Sequence, residues 1–353
     1  MTVTSDRFEQ GTLYAHDCTH GGLDVIDVLA TTSAPLPTKE DWQVTSKIGH
    51  CPGCHTVARD GRRISYTTLD GYLGTLGYDA PNALYTPRIA PDAVRAPSAA
   101  FNPLESTTRP AMLTAFAIPS QSVSGLALLD PDTGLSVPSD IAQMLGAIPT
   151  SAGQGRTMPA WSSRGEFVAF SAFPNVGSEG TQPTQAVPQG SLVEAPVTYG
   201  GSAFDFGTPK VLVAAAPGES NLRPSFDDDD ANVAFMRTST VGTTQVGVTL
   251  LYRRTDGQVI PLDVARADRQ AVWDTRLPDW GPPGSKYAWI AVASTRPYGH
   301  LTTELSQIWI FAVDRVRLAV GTVDPSAAAF WVPGQSLDTS YTHPQWPRTA
   351  MSH

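Results

Sequence analysis

The sequence predicts an all-β protein, and specifically a β-propeller with six blades. The first observation is the composition: Gly and Pro number 30 each among 353 residues, while charged residues make up 16%. Such frequent turn-forming residues favour many short strands over long helices. The second observation is a recurring turn-and-strand segment, and the third is a match between the two ends of the chain.

The recurring segment has a residue followed by proline, an aromatic residue two positions later, a polar turn and an apolar strand. Its copies, some of them degenerate, occupy residues 54–68, 99–116, 158–173, 223–237, 277–295 and 343–346. The strands expected to open the blades are centred near Leu13, Ile64, Met112, Val168, Val233 and Ala288. Their spacing is close to, or somewhat above, the roughly 40–50 residues of a four-stranded propeller blade. Insertions account for the larger gaps, and the aromatic residues are expected to pack between blades.

The two ends of the sequence predict how the ring closes. The chain starts within a blade, and the segment His343–Trp346 resembles the turn that should precede its first strand. We therefore expect a C-terminal strand to complete the N-terminal blade, which removes a free sheet edge. Residues 1–353 are then a single domain. A β-sandwich or two small β domains are the alternatives.

Charge and hydropathy exclude several classes of partner. The net charge is −9 at pH 7, which argues against a nucleic-acid or anionic-membrane binder. No run of 18 apolar residues predicts a transmembrane segment. The first ten residues, MTVTSDRFEQ, have neither the basic nor the apolar region of a signal peptide.

The most specific motif is Cys-x-x-Cys-His, in CPGCHTVARDGRRISYTT (51–68). This pattern attaches c-type haem. The thiols of Cys51 and Cys54 would bond the haem vinyl groups, and His55 would ligate the iron. Residues 49–61 are then a haem-attachment loop where the second blade begins. A Cys51–Cys54 disulfide, a zinc site that adds His55 or His50, and unligated thiols are the alternatives.

The repeat also predicts what surrounds this motif. Cys54 and His55 replace the residue-proline pair of the other copies, and we expect these pairs on loops around one mouth of the central channel. Met158 and His343 are then candidates for the second axial ligand, with an open or water-bound position as the alternative. Arg223 is a candidate partner for a haem propionate.

Other motifs are weaker. The acidic run Asp227–Asp230 offers oxygen ligands to calcium, but it lacks glycine spacing, and a solvated turn is the alternative interpretation. The sequence contains neither of two common hydrolase motifs, Gly-x-Ser-x-Gly and His-Glu-x-x-His.

Two groups of features carry a family resemblance. The Pro-x-[Trp/Phe]-Ser-x-x-Gly type of segment, followed by a strand, and SQIWIFAVD (306–314) resemble TolB-like, WD-repeat-related propeller repeats. The order of motifs resembles secreted myxobacterial proteins that join C-x-x-C-H-[ST]-x-[SA]-R-D-G to such repeats and end like DPSAAAFWVPGQSLDTSYTHPQW (324–346). The resemblance covers about residues 11–346, although the turns at Asp227–Asp230 and Gly281–Gly284 depart from it. It implies a propeller outside the cytoplasm with a c-type haem, and it supplies no substrate.

These features predict an exported monohaem cytochrome, periplasmic or extracellular, for one-electron transfer or haem-based sensing rather than catalysis. The expected partner is a redox protein or a cell-envelope protein. A haem-free propeller that binds a protein or envelope ligand, with a Cys51–Cys54 disulfide, is the first alternative. A peroxidase-like haem enzyme is the second.

Overall fold

The structure is a computed structural model. It describes residues 12–17, 22–27, 33–35, 55–61, 63–67, 73–77, 83–85, 95–104, 109–118, 123–149, 155–173, 189–241, 244–268, 271–284, 286–298, 305–321 and 323–347.

The described chain forms antiparallel sheets, four of which have four strands each. The first sheet contains β1 (Thr12–Asp17), β2 (Gly22–Asp27), β3 (Ser33–Pro35) and the C-terminal β26 (Tyr341–Gln345). The second contains β4 (His55–Val57), β5 (Arg63–Thr67), β6 (Leu73–Gly77) and β7 (Ala83–Tyr85). The third, with three strands, contains β8 (Arg95–Phe101), β9 (Met112–Ile118) and β10 (Val123–Leu129).

The second half of the chain continues the pattern. The five-stranded sheet contains β11 (Gly155–Trp161), β12 (Phe167–Phe173), β13 (Ser191–Tyr199), β14 (Phe204–Phe206) and β15 (Lys210–Val213). The next contains β16 (Glu219–Phe226), β17 (Asn232–Val241), β18 (Thr244–Arg253) and β19 (Gln258–Pro261). A ribbon of β20 (Ala267–Asp268) and β21 (Ala271–Val272) precedes the last sheet, which contains β22 (Arg276–Trp280), β23 (Tyr287–Ser294), β24 (Gln307–Asp314) and β25 (Phe330–Trp331).

Three short helices complete the described chain: α1 (Ile141–Gly146), α2 (Asp263–Arg266) and α3 (Arg315–Val320). None of these helices is long and apolar enough to cross a membrane.

The sheets are arranged as a β-propeller, so the predicted all-β class and propeller architecture are confirmed. One edge strand of each larger sheet contacts the edge strand of the next, in the order β26, β4, β8, β11, β16, β22 and back to β26. Apolar residues fill the spaces between neighbouring sheets, for example Phe311 between the last two and Ile310 between the last and the first. The core is therefore divided into wedges between blades rather than gathered in one centre.

The terminal strands pair as the sequence predicts. Strand β26 runs antiparallel to β1, with Tyr14 opposite Gln345 and Asp17 opposite Tyr341. The C-terminal strand is thus the innermost strand of the first sheet, and the sheet order is β26-β1-β2-β3.

One part of the repeat assignment is wrong. The strands predicted to open each blade, such as those at Ile64 and Val168, are second strands, and the proline-aromatic segments themselves form the innermost strands. Proline has no N–H to donate, which favoured a loop at these positions. The structure accommodates each proline at a bulge instead, where the pairing register shifts, as between Thr157 and Ala160.

The innermost strands end in a shared tight turn. In two copies a glycine closes it with left-handed backbone: Gly61 and Gly165 both have φ of 72°. Their amides donate to the carbonyls of Ala58 and Ser162. Asp230 takes the same place in a third copy, with φ of 60°. The altered residues of the Asp227–Asp230 run therefore keep the geometry of the common turn.

Candidate functional site: the central channel

The innermost strands surround a cavity of about 130 Å³. Residues from β4, β8, β11, β16, β22 and β26 all line it. Function in propellers sits on a rigid ring of strands and the loops that leave it, so this shared cavity is the natural candidate site.

Four of the lining residues share a strained backbone conformation. Met158, Arg223, Leu277 and His343 each precede proline and have φ between 50° and 56°. A side chain with Cβ adopts this left-handed region reluctantly, and a following proline disfavours helical backbone. The same strain recurs at the same point of four strands, where the register shifts. It brings four unlike side chains to the wall of one cavity.

His55 occupies the place of proline in this pattern. In β4, Val57 lies opposite Ile64, as Trp161 lies opposite Val168 in the five-stranded sheet. The equivalent of His55 is therefore Pro159. His55 is 1% exposed, so the imidazole is buried.

The structure brings His55 together with two other predicted site residues. The rings of His55 and His343 have centroids 6.3 Å apart and are tilted by 57°. Nη2 of Arg223 donates to Nε2 of His343 at 2.8 Å, and Nδ1 of His343 lies 3.1 Å from Oγ1 of Thr342. Because a guanidinium only donates, Nε2 of His343 must accept, which places the imidazole proton on Nδ1. Met158 lines the same cavity.

Sequence reasoning missed three polar residues of the wall. Asp279 accepts from Oγ of Ser225 at 2.9 Å and from the amide of Trp346 at 2.7 Å, and so it links three innermost strands. Ser98 accepts from the amide of Met158 at 2.9 Å, and Arg59 donates to the carbonyl of Ser163. The Pro-Asp-Trp order around Asp279 is visible in the sequence. Ser98 lacks the following proline that marks the other copies.

Part of the predicted site lies outside the described residues. This holds for Cys51, Cys54 and His50, so the structure does not test the pairing or ligation of the two thiols. The described part of segment 49–61 is the strand β4 and the turn after it. Within the described ranges, no group of three or more His, Cys, Asp or Glu side chains is placed to hold a metal ion.

The Asp227–Asp230 turn is neither a solvated turn nor a convergent calcium cradle. Asp227 and Asp230 are buried. Asp230 accepts from the amides of Ser163 and Arg164 in the neighbouring sheet, whereas Asp228 pairs with Arg315 at 2.5 Å. The carboxylates thus face different protein groups. Burial raises the pKa of Asp227 to about 7, against the lowering effect of its hydrogen bonds from Asn232.

Comparisons with known proteins find weak structural likenesses and no family. No family model matches the chain, and no curated protein matches it. Hydrazine synthase from Kuenenia stuttgartiensis matches with 10% identity and a TM-score of 0.43, over 82% of this chain and 68% of that one. The dihydro-heme d1 dehydrogenase NirN matches with 14% identity and a TM-score of 0.41, over 94% of this chain and 56% of that one.

The Dos1 propeller is a third match, at 9% identity and a TM-score of 0.42, over 86% of this chain and 63% of that one. At these identities and TM-scores the matches carry no argument about activity or cofactor. The chain spans little more than half of the NirN structure. The β-propeller assignment therefore rests on the sheet order and contacts of this chain.

Proposed function

We propose that this chain is an exported propeller of six blades that carries one covalent haem c at the mouth of its channel. Its role is one-electron transfer or haem-based sensing. The observation that carries the proposal is His55, which follows Cys-x-x-Cys directly and is buried on β4, one of the strands that surround the channel, at a position where other strands have proline. The closed order of innermost strands supports the blade number.

The described residues fit the donor chemistry that a haem requires. The His343 imidazole and the Arg223 guanidinium line one cavity, and the His55 ring lies 6.3 Å from that of His343, centroid to centroid. Imidazoles suit an iron centre, and a guanidinium suits a propionate. The cavity, at about 130 Å³, is smaller than the roughly 300–1,000 Å³ of ordinary ligand pockets. We therefore place the haem across the mouth of the channel rather than inside it.

Each residue would have a separate task. Cys51 and Cys54 would hold the haem through thioether bonds, and His55 would ligate its iron. The bound haem supplies a one-electron redox couple. His343 already accepts from Arg223 through Nε2, so ligation by His343 requires that hydrogen bond to break. Met158 is the other distal candidate, and its thioether would raise the potential relative to histidine.

The proposed location and partner follow from covalent haem attachment. Haem is attached covalently outside the cytoplasm in bacteria, so we propose a periplasmic or extracellular location. The partner is a redox protein or a cell-envelope protein that docks at the channel mouth. We do not expect nucleic acid, since the net charge is −9.

The test is the absorption spectrum of protein purified from its native host, before and after dithionite, with a pyridine haemochrome assay after acid–acetone extraction. We expect haem that resists extraction. Replacing both thiols in Cys51→Ser/Cys54→Ser should abolish it. The matched control is Cys18→Ser, which replaces the one cysteine outside the Cys-x-x-Cys-His motif and should retain the haem. A six-coordinate, low-spin spectrum fits electron transfer, and an open, high-spin site fits the peroxidase-like alternative. Colourless wild-type protein from the exported fraction would contradict the haem proposal.

A second candidate function is a haem-free propeller that binds a protein or cell-envelope ligand. The narrow cavity favours it, as does the hydrogen bonding of both nitrogens of His343. In that case Cys51 and Cys54 form a disulfide. Mass spectrometry of the unreduced protein should then show the loss of two hydrogens on the peptide that carries both thiols, and no haem adduct.

A further inference from the structure

The turn Asp227–Asp230 connects three neighbouring sheets of the ring. It joins β16 to β17, and the carboxylate of Asp230 accepts from two backbone amides of the turn between β11 and β12. On the other side, the carboxylate of Asp228 pairs with Arg315 of α3 at 2.5 Å, and α3 directly follows β24 of the last sheet. The turn therefore contacts the sheet before its own and the sheet after it.

One of these contacts reaches the wall of the channel. Ser163 lines the cavity, its amide donates to the carboxylate of Asp230, and its hydroxyl donates to the carbonyl of Asp227. Arg59, from the turn after β4, donates to the carbonyl of Ser163. A movement of the turn Asp227–Asp230 would therefore act directly on the channel wall.

Asp227 places a buried carboxyl group at the start of this turn. The residue is 3% exposed, and its carboxylate accepts from the amide of Asn232 at 3.0 Å and from Nδ2 of Asn232 at 2.6 Å. Both of these donors are neutral. Because a buried carboxylate without a cationic partner is costly when it is ionised, burial favours the protonated form of Asp227.

No charged side chain around Asp227 supplies a counter-charge. Two nitrogens of Arg254, just after β18, donate to Glu194 of β13 at 2.8 and 3.1 Å, and Arg315 pairs with the two acids that follow Asp227. Those acids and Asp230 add negative charge to the turn. Among the described residues, the charged groups of adjoining elements that make no ion pair with the Asp227 carboxylate are Arg59, Arg164, Glu194, Arg254, Asp279 and Arg315.

We propose that the turn Asp227–Asp230 is a proton-controlled contact between three sheets, which is closed while Asp227 is protonated and loosens once Asp227 ionises. Ionisation favours conformations in which the carboxylate reaches water, and such a movement breaks the bonds from the turn to Ser163. The pKa of Asp227 is raised by burial in the closed state to about 7 and returns to its ordinary range when the turn opens. Opening should therefore become easier by about tenfold for each pH unit until the raised pKa is reached. The contact does not depend on haem.

The test is hydrogen exchange of the Ser163 and Arg164 amides, measured by NMR from pH 5 to pH 8 and corrected for the intrinsic exchange rate. In wild-type protein, the protection of both amides should fall about tenfold for each pH unit between pH 5 and pH 7 and then level off. Asp227→Asn should show the same protection at every pH, because its amide does not ionise. Asp263→Asn is the matched control, since Asp263 lies on α2 with a side chain 68% exposed, and it should keep the wild-type pH dependence.

The amide of Gly61 is the internal reference. It closes the corresponding turn after β4 by donating to the carbonyl of Ala58, and its protection should not change with pH. Constant protection of the Ser163 amide in wild-type protein would overturn the proposal, as would a wild-type pH profile in Asp227→Asn. If Asp227→Asn does not fold, the wild-type profile still decides. A fall of equal size at Gly61 would show that the whole protein responds rather than this contact, and it would overturn the proposal as well.

Discussion

Strand β4 and its counterpart β11 share the same backbone hydrogen bonds at the turn but have different residues. In both, the turn that follows is closed by the same amide-to-carbonyl bonds: Ala58 to the carbonyl of Arg63, and Ser162 to that of Phe167. All three residues of β4 differ from their equivalents: His55, Thr56 and Val57 stand where β11 has Pro159, Ala160 and Trp161. The turn and register thus belong to the scaffold, and the variable positions are where a site can be built.

The largest effect should come from the aromatic position of this comparison. Trp280, its copy in β22, is buried and donates from Nε1 to the carbonyl of Ser225 at 3.0 Å. Trp280→Ala should lower the free energy of unfolding by about 3–5 kcal/mol, since it leaves a cavity between sheets. Val57→Ala removes less buried surface and should cost about 1 kcal/mol. Urea unfolding followed by far-UV circular dichroism measures both. Equal losses would show that β4 depends on its small residue as strongly as β22 depends on tryptophan.

A slightly smaller effect should be a pH dependence of the free energy of unfolding that comes from the turn Asp227–Asp230. Burial raises the pKa of Asp227 from its ordinary value of 3.8 to about 7. The folded state then binds the proton more tightly than the unfolded state, so this group contributes stability at low pH and loses it as pH rises toward 7. This rise in pKa corresponds to about 4 kcal/mol of stability at most.

The check compares wild-type protein with Asp227→Asn from pH 4 to pH 8. The variant should gain stability relative to the wild type as pH rises, because its amide cannot ionise. The side-chain oxygen of Asn232 is buried and has no hydrogen-bond partner among the described residues, so it can turn to accept from the new amide. A pH-independent difference between the two proteins would show that Asp227 titrates near its ordinary pKa.

A smaller effect than this should come from the residue that closes this turn. Asp230 has left-handed backbone, like Gly61 and Gly165, but its carboxylate also accepts two amides of the neighbouring turn. Asp230→Ala keeps the strained left-handed backbone and removes both carboxylate oxygens that accept from these amides. It should lower the free energy of unfolding by about 2 kcal/mol. Asp230→Asn retains one acceptor oxygen and tolerates the backbone, and it should cost less. Thermal unfolding ranks the two, and an alanine variant as stable as wild type would mean that the carboxylate bonds add nothing.

Much of the architecture could be read from the sequence because it is encoded locally. The proline-aromatic-turn segment recurs along the chain, and His343–Trp346 predicted the pairing of β26 with β1. The placement of the residue-proline pairs was wrong, because a bulge with φ near 55° leaves no mark in the residue types. Asp279 and Ser98 were missed for a related reason: their role comes from strands that meet only in the closed ring.

The sequence also predicted which residues surround the candidate site, but not how they contact one another. Positional equivalence placed His343, Met158 and Arg223 around one opening, and the structure gathers these residues on one cavity next to His55. The bond from Arg223 to His343 was not foreseen, since it crosses between strands separated by another blade. Side-chain contacts of this kind depend on distances across the ring, which a repeat alignment does not contain.

The pairing of β26 with β1 has a consequence for the order of folding. Every other sheet is made from strands that follow one another in the chain, whereas this sheet joins segments from opposite ends of the printed sequence. Contacts between such distant segments form slowly, because the intervening chain must first be brought together. His343 is carried by β26, so its bond with Arg223 can form only after the last strand has docked. A spectroscopic probe at His343 would therefore time the final step of assembly.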